Sequence, residues 1–578
     1  MSKVESLLLH EDRITAVVSN YGYPVVPLFG EGVQYQLNTH SLQVHTYNIS
    51  EIPIDGSKLQ HIFTTHMNGT FIEARSIENY AHIVTSEYTP ASYLPNAVSR
   101  YNSDFTGLNT EDYLAKVQSV IEEKKIIENF VSSTMDIVTN GNDCSHITKL
   151  SVFQTSDTDV SLPLTSISSG TINSYGKITT IDMKSNGTTT DHENSRRLNT
   201  ASSVTGFFLP NAYDTKVYAS KNHMVLATPG MSFSKDQTAW EPQTFLRTFA
   251  LSNDGTNAQG KGVGKAPGYV LNQFSIDEWD GHLRVATTIR SKMRCRLLEK
   301  KKAIQKSTDE IVPTSPERKI PTTDCIWEFV PESDNMITIL NITDSSNQTL
   351  DEVGSIKGLG HPGEQIYSVR FMEEKAFMVT FRLTDPFYTF DLTDHVNPKV
   401  KGELKISGFS NYLHPFDSDG NIMIAVGQNA DEKTGRRTGL QISLYNVTDL
   451  TNPRAIDRYD VQQGNGGYSW SDAQYDHKAF RFYEHSNKLI IPASMHRGRI
   501  SFDGFQVFNV SLDSISFHFD VEHDIESFSC WSNTYLSARS LIHSGILTTM
   551  KGHTIRAHNI ETKEFEWLTN LDSNNTSC

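Results

Sequence analysis

Acidic residues cluster around one predicted hairpin, where they could supply paired carboxylates for acid–base chemistry. They are Asp277, Glu278 and Asp280, with Gln273 just before them. Paired catalytic carboxylates must converge on one site, and the local sequence offers simpler explanations for two of them. Asp280-Gly281 is typical of a hairpin turn, and Asp277 fits a cap at a strand end. A structural role is therefore favoured here, with ligand binding as the alternative.

Histidines and arginines in other predicted strands form the second group of candidates. Asp476-His477 and His414 open the first strands of their repeats. An Asp–His pair can orient a general base, but a nucleophile should complete it, and the chain has no Gly-x-Ser-x-Gly element. Neighbouring strand residues also point to opposite faces, so structural pairing between repeats is favoured. If a ligand binds, we expect it at Gln273, Asp277, Arg284, Arg370, His414, Asp476 and His477.

The sequence predicts no metal, cofactor or nucleic-acid partner. Asp417-Ser-Asp419-Gly420 resembles the start of a calcium loop. Such a loop needs a Glu about nine residues after the second aspartate, and that position is Gln428, so a plain turn is favoured. The basic cluster at 300–302, flanked by Arg294 and Arg296, has no interleaved aromatic residues, and the chain carries a net charge of −16. A solvated loop is therefore favoured over a phosphate-binding patch.

The cysteines and the N-terminus bear on where the protein is located. The five cysteines are too far apart for a metal-ligand spacing. Cys295 and Cys325 flank a polar insertion as a candidate disulfide, with unpaired thiols as the alternative. No apolar run approaches the roughly 18–20 residues of a membrane span, and the first residues lack the apolar region of a signal peptide. A cytosolic chain and an N-terminally truncated chain are both consistent with this start.

Composition indicates a soluble, strand-rich globular protein. Of the 578 residues, 37% are hydrophobic, 10% aromatic and 20% charged. That apolar content is enough for a large core, and the abundance of Thr, Val, Ile, Phe and Tyr favours strands. We expect a monomer.

A strand–turn–strand unit recurs along the chain. Three copies start at Ile339, Thr389 and Leu444, and each has a hydrophobic strand, an Asn or Asp, an aliphatic residue and a Thr-Asp pair. The pairs end in Asp344, Asp394 and Asp449. Asn and Asp side chains can bond to the backbone just past a strand end and so start a turn. The strand that follows alternates apolar and polar residues, which predicts a half-buried outer strand.

A hairpin with a short polar tip is the second recurring unit. Its second strand is apolar on both faces in several copies, as expected for a strand buried in a stack of sheets. Eight copies are present, at Leu7–Ser19, Phe71–Ser86, Val217–Pro229, Gln273–Thr288, Tyr367–Phe381, Leu413–Gly427, Phe480–Ser494 and Ala538–Met550.

Together the two units predict an all-β fold, a β-propeller of about eight four-stranded blades, with seven or nine as alternatives. One such unit cannot bury both its faces, so the units must stack, and radial closure removes exposed edges. We expect one propeller domain over 1–578. A helical insertion is predicted within 92–147, where apolar residues recur at helical spacing, and a basic polar loop over 291–324.

Long stretches of the chain resemble a known family. They include NQFSIDEWDGHLRVATT, AQYDHKAF and the segment that begins EQIYSVRFMEEKAFMVTF. They resemble secreted β-propeller domain proteins of unknown function that are distantly related to WD-type repeats. The resemblance implies an extracellular or cell-surface location and supplies no active site. Members normally carry a signal sequence or anchor and a further strand-forming segment upstream of the part matching Val4, so it also implies an incomplete chain.

Two functional hypotheses follow. The first is a non-enzymatic extracellular or cell-surface module that binds a protein or glycan, and the absence of a catalytic motif favours it. The alternative is a hydrolase or lyase that acts on extracellular polysaccharide through acidic and histidine residues at the mouth of the central channel expected in a propeller. Propellers host both kinds of function, so the fold alone cannot decide between them.

Overall fold

The structure, a computed structural model, describes the strands and most of their connections. The described residues are 2–22, 25–29, 33–36, 39–50, 59–88, 174–185, 202–209, 214–234, 239–252, 255–297, 325–343, 349–381, 385–431, 434, 436–461, 468–497, 500–523, 538–552 and 554–570. The predicted helical insertion at 92–147 lies outside them, as do 298–324 of the predicted basic loop and Asp344.

The chain forms two compact units. Unit 1 comprises Met1–Gln273, Ser291–Pro331 and Asn341–Asp351, and unit 2 comprises Phe274–Arg290, Glu332–Leu340 and Glu352–Cys578. No helix among the described residues is long and apolar enough to cross a bilayer.

Three sets of antiparallel strands fall in unit 1. Sheet 1 has the order β1 (Ser2–His10), β2 (Arg13–Gly22), β5 (Thr39–Asn48) and β6 (Gln60–Asn68), and the hairpin of β3 (Val25–Phe29) and β4 (Val33–Gln36) connects β2 to β5. Sheet 2 contains β7 (Thr70–Ile77), β8 (Tyr80–Tyr88), β9 (Ser174–Asp182) and β10 (Ser202–Leu209). Sheet 3 contains β11 (Lys216–Ala219), β12 (His223–Phe233), β13 (Ala239–Leu251) and β14 (Ala258–Pro267).

Sheet 4 consists of β15 (Ile276–Trp279), β16 (His282–Leu297), β17 (Cys325–Asn341) and β18 (Asp351–Leu359). Sheets 3 and 4 are hydrogen-bonded to each other, because Ala239 and Trp240 of β13 pair with β16. Because β16 continues to Leu297, the first residues of the range predicted as a basic loop belong to a strand. Cys295 and Cys325 lie on the neighbouring strands β16 and β17, but their side chains are not among those that the structure describes. The disulfide therefore stays a prediction.

Four further sheets fall in unit 2. Sheet 5 contains β19 (Gln365–Met372), β20 (Lys375–Phe381), β21 (Asp385–Asp391) and β22 (Lys399–Ile406), and sheet 6 contains β23 (Phe409–Pro415), β24 (Ile422–Ala430), β25 (Arg437–Asn446) and β26 (Arg454–Asp460). Sheet 7 contains β27 (Tyr468–Trp470), β28 (Arg481–Tyr483), β29 (Lys488–Arg497), β30 (Ile500–Val510) and β31 (Ile515–Glu522). Sheet 8 contains β32 (Arg539–His543), β33 (Ile546–Lys551), β34 (Thr554–Asn559) and β35 (Phe565–Asn570).

All eight predicted hairpins are present, and each supplies the first two strand positions of one sheet. The second strand is the most buried, as β24 illustrates, because it is covered on both faces. The fourth strand alternates exposed and half-buried residues, as β22 illustrates. This is the pattern that the apolar runs and the alternating outer strands predicted.

Consecutive sheets within each unit bury apolar side chains between their faces. In unit 2, one cluster joins Leu444 of sheet 6 to Leu489 and Phe508 of sheet 7, and another joins Phe377 of sheet 5 to Tyr445 of sheet 6. A large side chain removed from water in this way contributes about 1.5–3 kcal/mol. Face-to-face stacking of these sheets therefore supplies the core.

The polar turns after β21 and β25 are built as predicted. Asp391 Oδ1 accepts a hydrogen bond from the Thr393 N–H at 3.1 Å, and Asp449 Oδ1 accepts one from the Thr451 N–H at 2.9 Å. Bonds from Asn397, first from its side chain, also hold the pKa of Asp394 below its usual range. These bonds start the turn that leads to the outer strand.

A register shift recurs between the third and fourth strands of the sheets. A bulge of this kind places an unpaired residue in one strand and sharpens its twist. The shifts lie at Thr46/Tyr47, Thr248/Phe249, Thr389/Phe390, Leu444/Tyr445, Val507/Phe508 and Ala557/His558.

Candidate ligand-binding site

A short 3-10 turn, Gln273–Ser275, carries Phe274 toward side chains of sheets 6 and 7. The Phe274 ring lies 5.5 Å from the Tyr412 ring and 5.2 Å from the His477 ring, both in edge-on geometry. Phe274 also packs against the apolar cluster between those two sheets. Phe274 thus lies one turn before β15 of sheet 4, and it contacts side chains of sheets 6 and 7, which come much later in the chain.

Arg370, on β19, covers the same ring from another side. Its guanidinium carbon lies 5.3 Å from the centroid of Phe274, which is within the range of a cation–π contact. Arg370 pairs with Phe377 across the β19–β20 hairpin, which is the hairpin predicted at Tyr367–Phe381. Arg370 is half-buried.

Asp277 and Arg284 face each other across the β15–β16 hairpin. Arg284 Nε donates to Asp277 Oδ2 at 3.1 Å, a second guanidinium nitrogen bonds the same oxygen, and a third donates to the Glu373 carbonyl. The Arg284 side chain is 0% exposed and that of Asp277 is 24% exposed. Burial raises the pKa of Asp277 even though Arg284 opposes the shift. Asp277 is therefore a strand residue in an ion pair, and the prediction of a strand-end cap was wrong.

Asp280-Gly281 and Asp417–Gly420 both form the turns that the sequence analysis favoured. Asp280 and Gly281 both have positive φ, at 46° and 72°, which is the conformation of a tight hairpin turn. The Gly420 N–H donates to the Asp417 carbonyl at 3.2 Å, and the Asn421 N–H donates to Asp417 Oδ1 at 2.9 Å. Asp417–Gly420 is thus a turn, as predicted.

His414, on β23, completes an aromatic wall beside Arg370. Its ring lies 4.8 Å from the Phe480 ring, and its Nδ1 lies 3.4 Å from the Tyr412 hydroxyl. Burial, with a smaller contribution from the charge of Arg370, lowers the pKa of His414 to about 4. The imidazole is therefore neutral at physiological pH.

Asp476 and His477 are not on a strand, which corrects the prediction for this segment. Two 3-10 turns, Asp472–Gln474 and His477–Ala479, lie between β27 and β28. The first is closed by a capping box in which Ser471 and Gln474 exchange hydrogen bonds. Asp476 caps the second turn, and this geometry places His477 against Phe274.

Asp476 belongs to a second polar cluster, which sequence reasoning did not identify. Its Oδ2 pairs with an Arg539 guanidinium nitrogen at 2.7 Å. Nearby, Lys551 Nζ bonds Asp503 Oδ1 at 2.6 Å. Burial raises the pKa of Asp472, which the charges of Lys551 and Arg539 oppose. The paired cations make this a structural network between sheets 7 and 8.

The structure thus brings most of the predicted residues together in unit 2. Arg370 and His477 contact Phe274, His414 reaches it through Tyr412, and Gln273 opens the turn that positions it. Asp277 and Arg284 form a separate ion pair, close enough to Arg370 for the charges of Asp277 and Arg370 to influence each other. Asp476 instead turns toward Arg539. We call Phe274, Arg370, Tyr412, His414 and His477 the Phe274 cluster. In the described part of the chain, no three His, Cys, Asp or Glu side chains are grouped so that they could hold a metal ion.

Repeated four-stranded antiparallel sheets with buried second strands define an all-β protein of the propeller class. The chain belongs to the family described as the beta propeller domain, whose model matches residues 2–563. It is 35% identical over 285 residues to an uncharacterized protein of Methanocaldococcus jannaschii, a match that covers 49% of this chain and 36% of that protein. It is 31% identical over 265 residues to an uncharacterized protein of Archaeoglobus fulgidus, covering 46% of this chain and 32% of that protein.

These two matches span about a third of each relative's length. Among solved structures, Saccharomyces cerevisiae Sqt1 superposes with a TM-score of 0.31 and 9% identity over 61% of this chain and 82% of that chain.

Proposed function

We propose that the protein is a non-enzymatic binding module that holds a protein or glycan ligand at the Phe274 cluster. The observation that carries this proposal is the contact between the Arg370 guanidinium and the Phe274 ring, beside further aromatic residues and a neutral histidine. Ligand sites in proteins combine mostly apolar and aromatic walls with a few polar groups that orient the ligand. The Phe274 cluster has this composition.

The partners of the acidic residues support binding over hydrolysis. A hydrolase or lyase of the predicted kind would use Asp277 and Asp476 beside His414 and His477. Asp277 is instead bonded to Arg284 and Asp476 to Arg539, so neither carboxylate is directed at a histidine. His414 has a pKa of about 4, far below the value near the working pH that suits a general base.

The experiment is a binding screen of the purified protein on arrays of glycans and surface proteins. We expect at least one ligand class to bind, and we expect Phe274→Ala to abolish that binding. Phe517→Ala is the matched control, because Phe517 is a 41% exposed aromatic residue of β31 in the same unit. Equal loss in both variants, or no loss in Phe274→Ala, would contradict the proposal. Release of new reducing ends from polysaccharide substrates would favour the enzymatic alternative.

We also propose an extracellular or cell-surface location, which the sequence resemblance to secreted propellers supports. Labelling of intact cells of the native host with a membrane-impermeant amine reagent tests it. Labelling of this protein together with known surface proteins is expected, and labelling only after lysis would contradict the location.

A further inference from the structure

The guanidinium of Arg370 has N–H donors that form no hydrogen bond with the described residues. Its contact is the face of Phe274, and among the described residues its guanidinium makes no hydrogen bond or ion pair. A guanidinium has five N–H donors directed outward in its own plane. An arginine that is half-buried against a ring and keeps these donors is positioned to receive an acceptor from a ligand.

Among the residues that the structure describes, no carboxylate pairs directly with the Arg370 guanidinium. Asp277 is near enough for the two charges to influence each other, but its Oδ2 is bonded by Arg284. The neighbouring His414 is neutral, with a pKa of about 4, and Tyr412 keeps its hydroxyl proton because burial raises its pKa. A carboxylate is the chemical group that complements a guanidinium best, because it accepts two parallel N–H bonds.

The surroundings favour a sugar over an extended peptide as the carrier of that carboxylate. Extended peptides often bind by adding a strand to an exposed sheet edge, which requires a regular edge strand. Arg370 lies on β19, which has eight residues, and Tyr412 and His414 lie on β23, which has seven. The register of each strand is broken, between Ile366 and Ser368 in β19 and between Ser410 and Tyr412 in β23. The half-buried ring of Phe274 offers instead an apolar surface on which the C–H face of a sugar ring can be buried.

We propose that the Phe274 cluster binds an acidic oligosaccharide, in which a uronate carboxylate receives two hydrogen bonds from Arg370 and the sugar ring packs against the aromatic residues. This inference rests on the proposed binding function and adds the ligand class and the residue that selects it.

The test is isothermal titration calorimetry of the full chain with hexagalacturonate and with its fully methyl-esterified form. Esterification removes the charge and leaves the sugar backbone unchanged. We expect hexagalacturonate to bind and the ester to bind about 10- to 100-fold more weakly, the range for a charge-assisted pair of hydrogen bonds. Arg370→Gln should weaken the acid by a similar factor and leave the ester unchanged. Hexaglucuronate and hexamannuronate extend the test to other uronates.

Two further variants separate charge from geometry. Arg370→Lys keeps the charge but loses the planar fork, so an intermediate loss is expected. Arg454→Gln removes an exposed arginine of β26 in the same unit and should leave affinity unchanged. Thermal unfolding of each variant checks that it folds.

The outcomes distinguish this inference from the proposed function. If acid and ester bind equally, or Arg370→Gln has no effect, the acidic ligand class is wrong, while loss of both ligands in Phe274→Ala would preserve the binding function. If none of the three uronates binds, the inference is overturned, and the array screen judges the binding function separately.

Discussion

Replacing Arg284 with methionine removes the cation that holds Asp277 and keeps the volume of the buried side chain. Breaking a buried ion pair from one side costs about 3–5 kcal/mol, because the other charge stays buried without compensation. Asp277 is 24% exposed, so some of its charge is solvated, and we expect a cost near the lower end, about 3 kcal/mol. The methionine still packs on Phe371, which Arg284 covers in the native protein.

The pH dependence of this cost follows from the Asp277 carboxyl. Its folded-state pKa is raised, with burial as the main cause, so its ionisation disfavours folding above that pKa and the penalty disappears as the pH falls. Loss of Arg284 should raise the pKa of Asp277 further, because the Arg284 charge lowers it in the native protein. The cost of Arg284→Met should therefore be largest near neutral pH and should decrease as the pH falls.

The assay is hydrogen exchange of peptides from β15 and β16, read as a local opening free energy. A loss of about 3 kcal/mol corresponds to exchange about 100-fold faster. Asp277→Asn in the Arg284→Met background removes the buried charge and should recover much of the loss, which forms a double-mutant cycle. A cost below about 1 kcal/mol at neutral pH, or no recovery in the double variant, would refute this account of the ion pair.

Three further predictions concern packing and protonation. Gly402→Ala should lower the free energy of unfolding by about 1–3 kcal/mol, because its Cβ would lie 2.7 Å from Pro453 Cδ; Lys405→Ala on the same strand is the control, and equal urea midpoints would contradict the prediction. Gln474→Ala should cost about 1–3 kcal/mol by urea unfolding, since it leaves the buried Asn411 side chain without its 2.8 Å partner; a neutral effect would count against that network. The imidazole of His414 should titrate near pH 4 by NMR, and a midpoint between 6 and 7 would show that it is solvated.

The hairpins and polar turns could be predicted because their causes are local. The turn at Asp391 depends on a bond to a residue two positions along the chain, and the tip at Asp280-Gly281 depends on φ alone. The strand-like run at 175–183 could not be assigned from sequence. It supplies β9, which pairs with β8 even though residues 89–173 separate the two strands. Pairing across so long an insertion leaves no local signal.

The site was predicted as a set of polar residues, and the residue at its centre was missed. Phe274 has no distinctive motif, and its role depends on contacts with Tyr412 and His477. For Asp476 and His477 a local signal did exist, because Ser471 and Gln474 have the spacing of a capping box. Reading that spacing would have predicted the 3-10 turns in place of a strand.

The most direct test of the central claim is a crystal structure of the protein with hexagalacturonate bound. We expect a sugar carboxylate within hydrogen-bonding distance of the Arg370 guanidinium and a sugar ring against Phe274. An oligosaccharide bound away from both Arg370 and Phe274 would contradict this proposal.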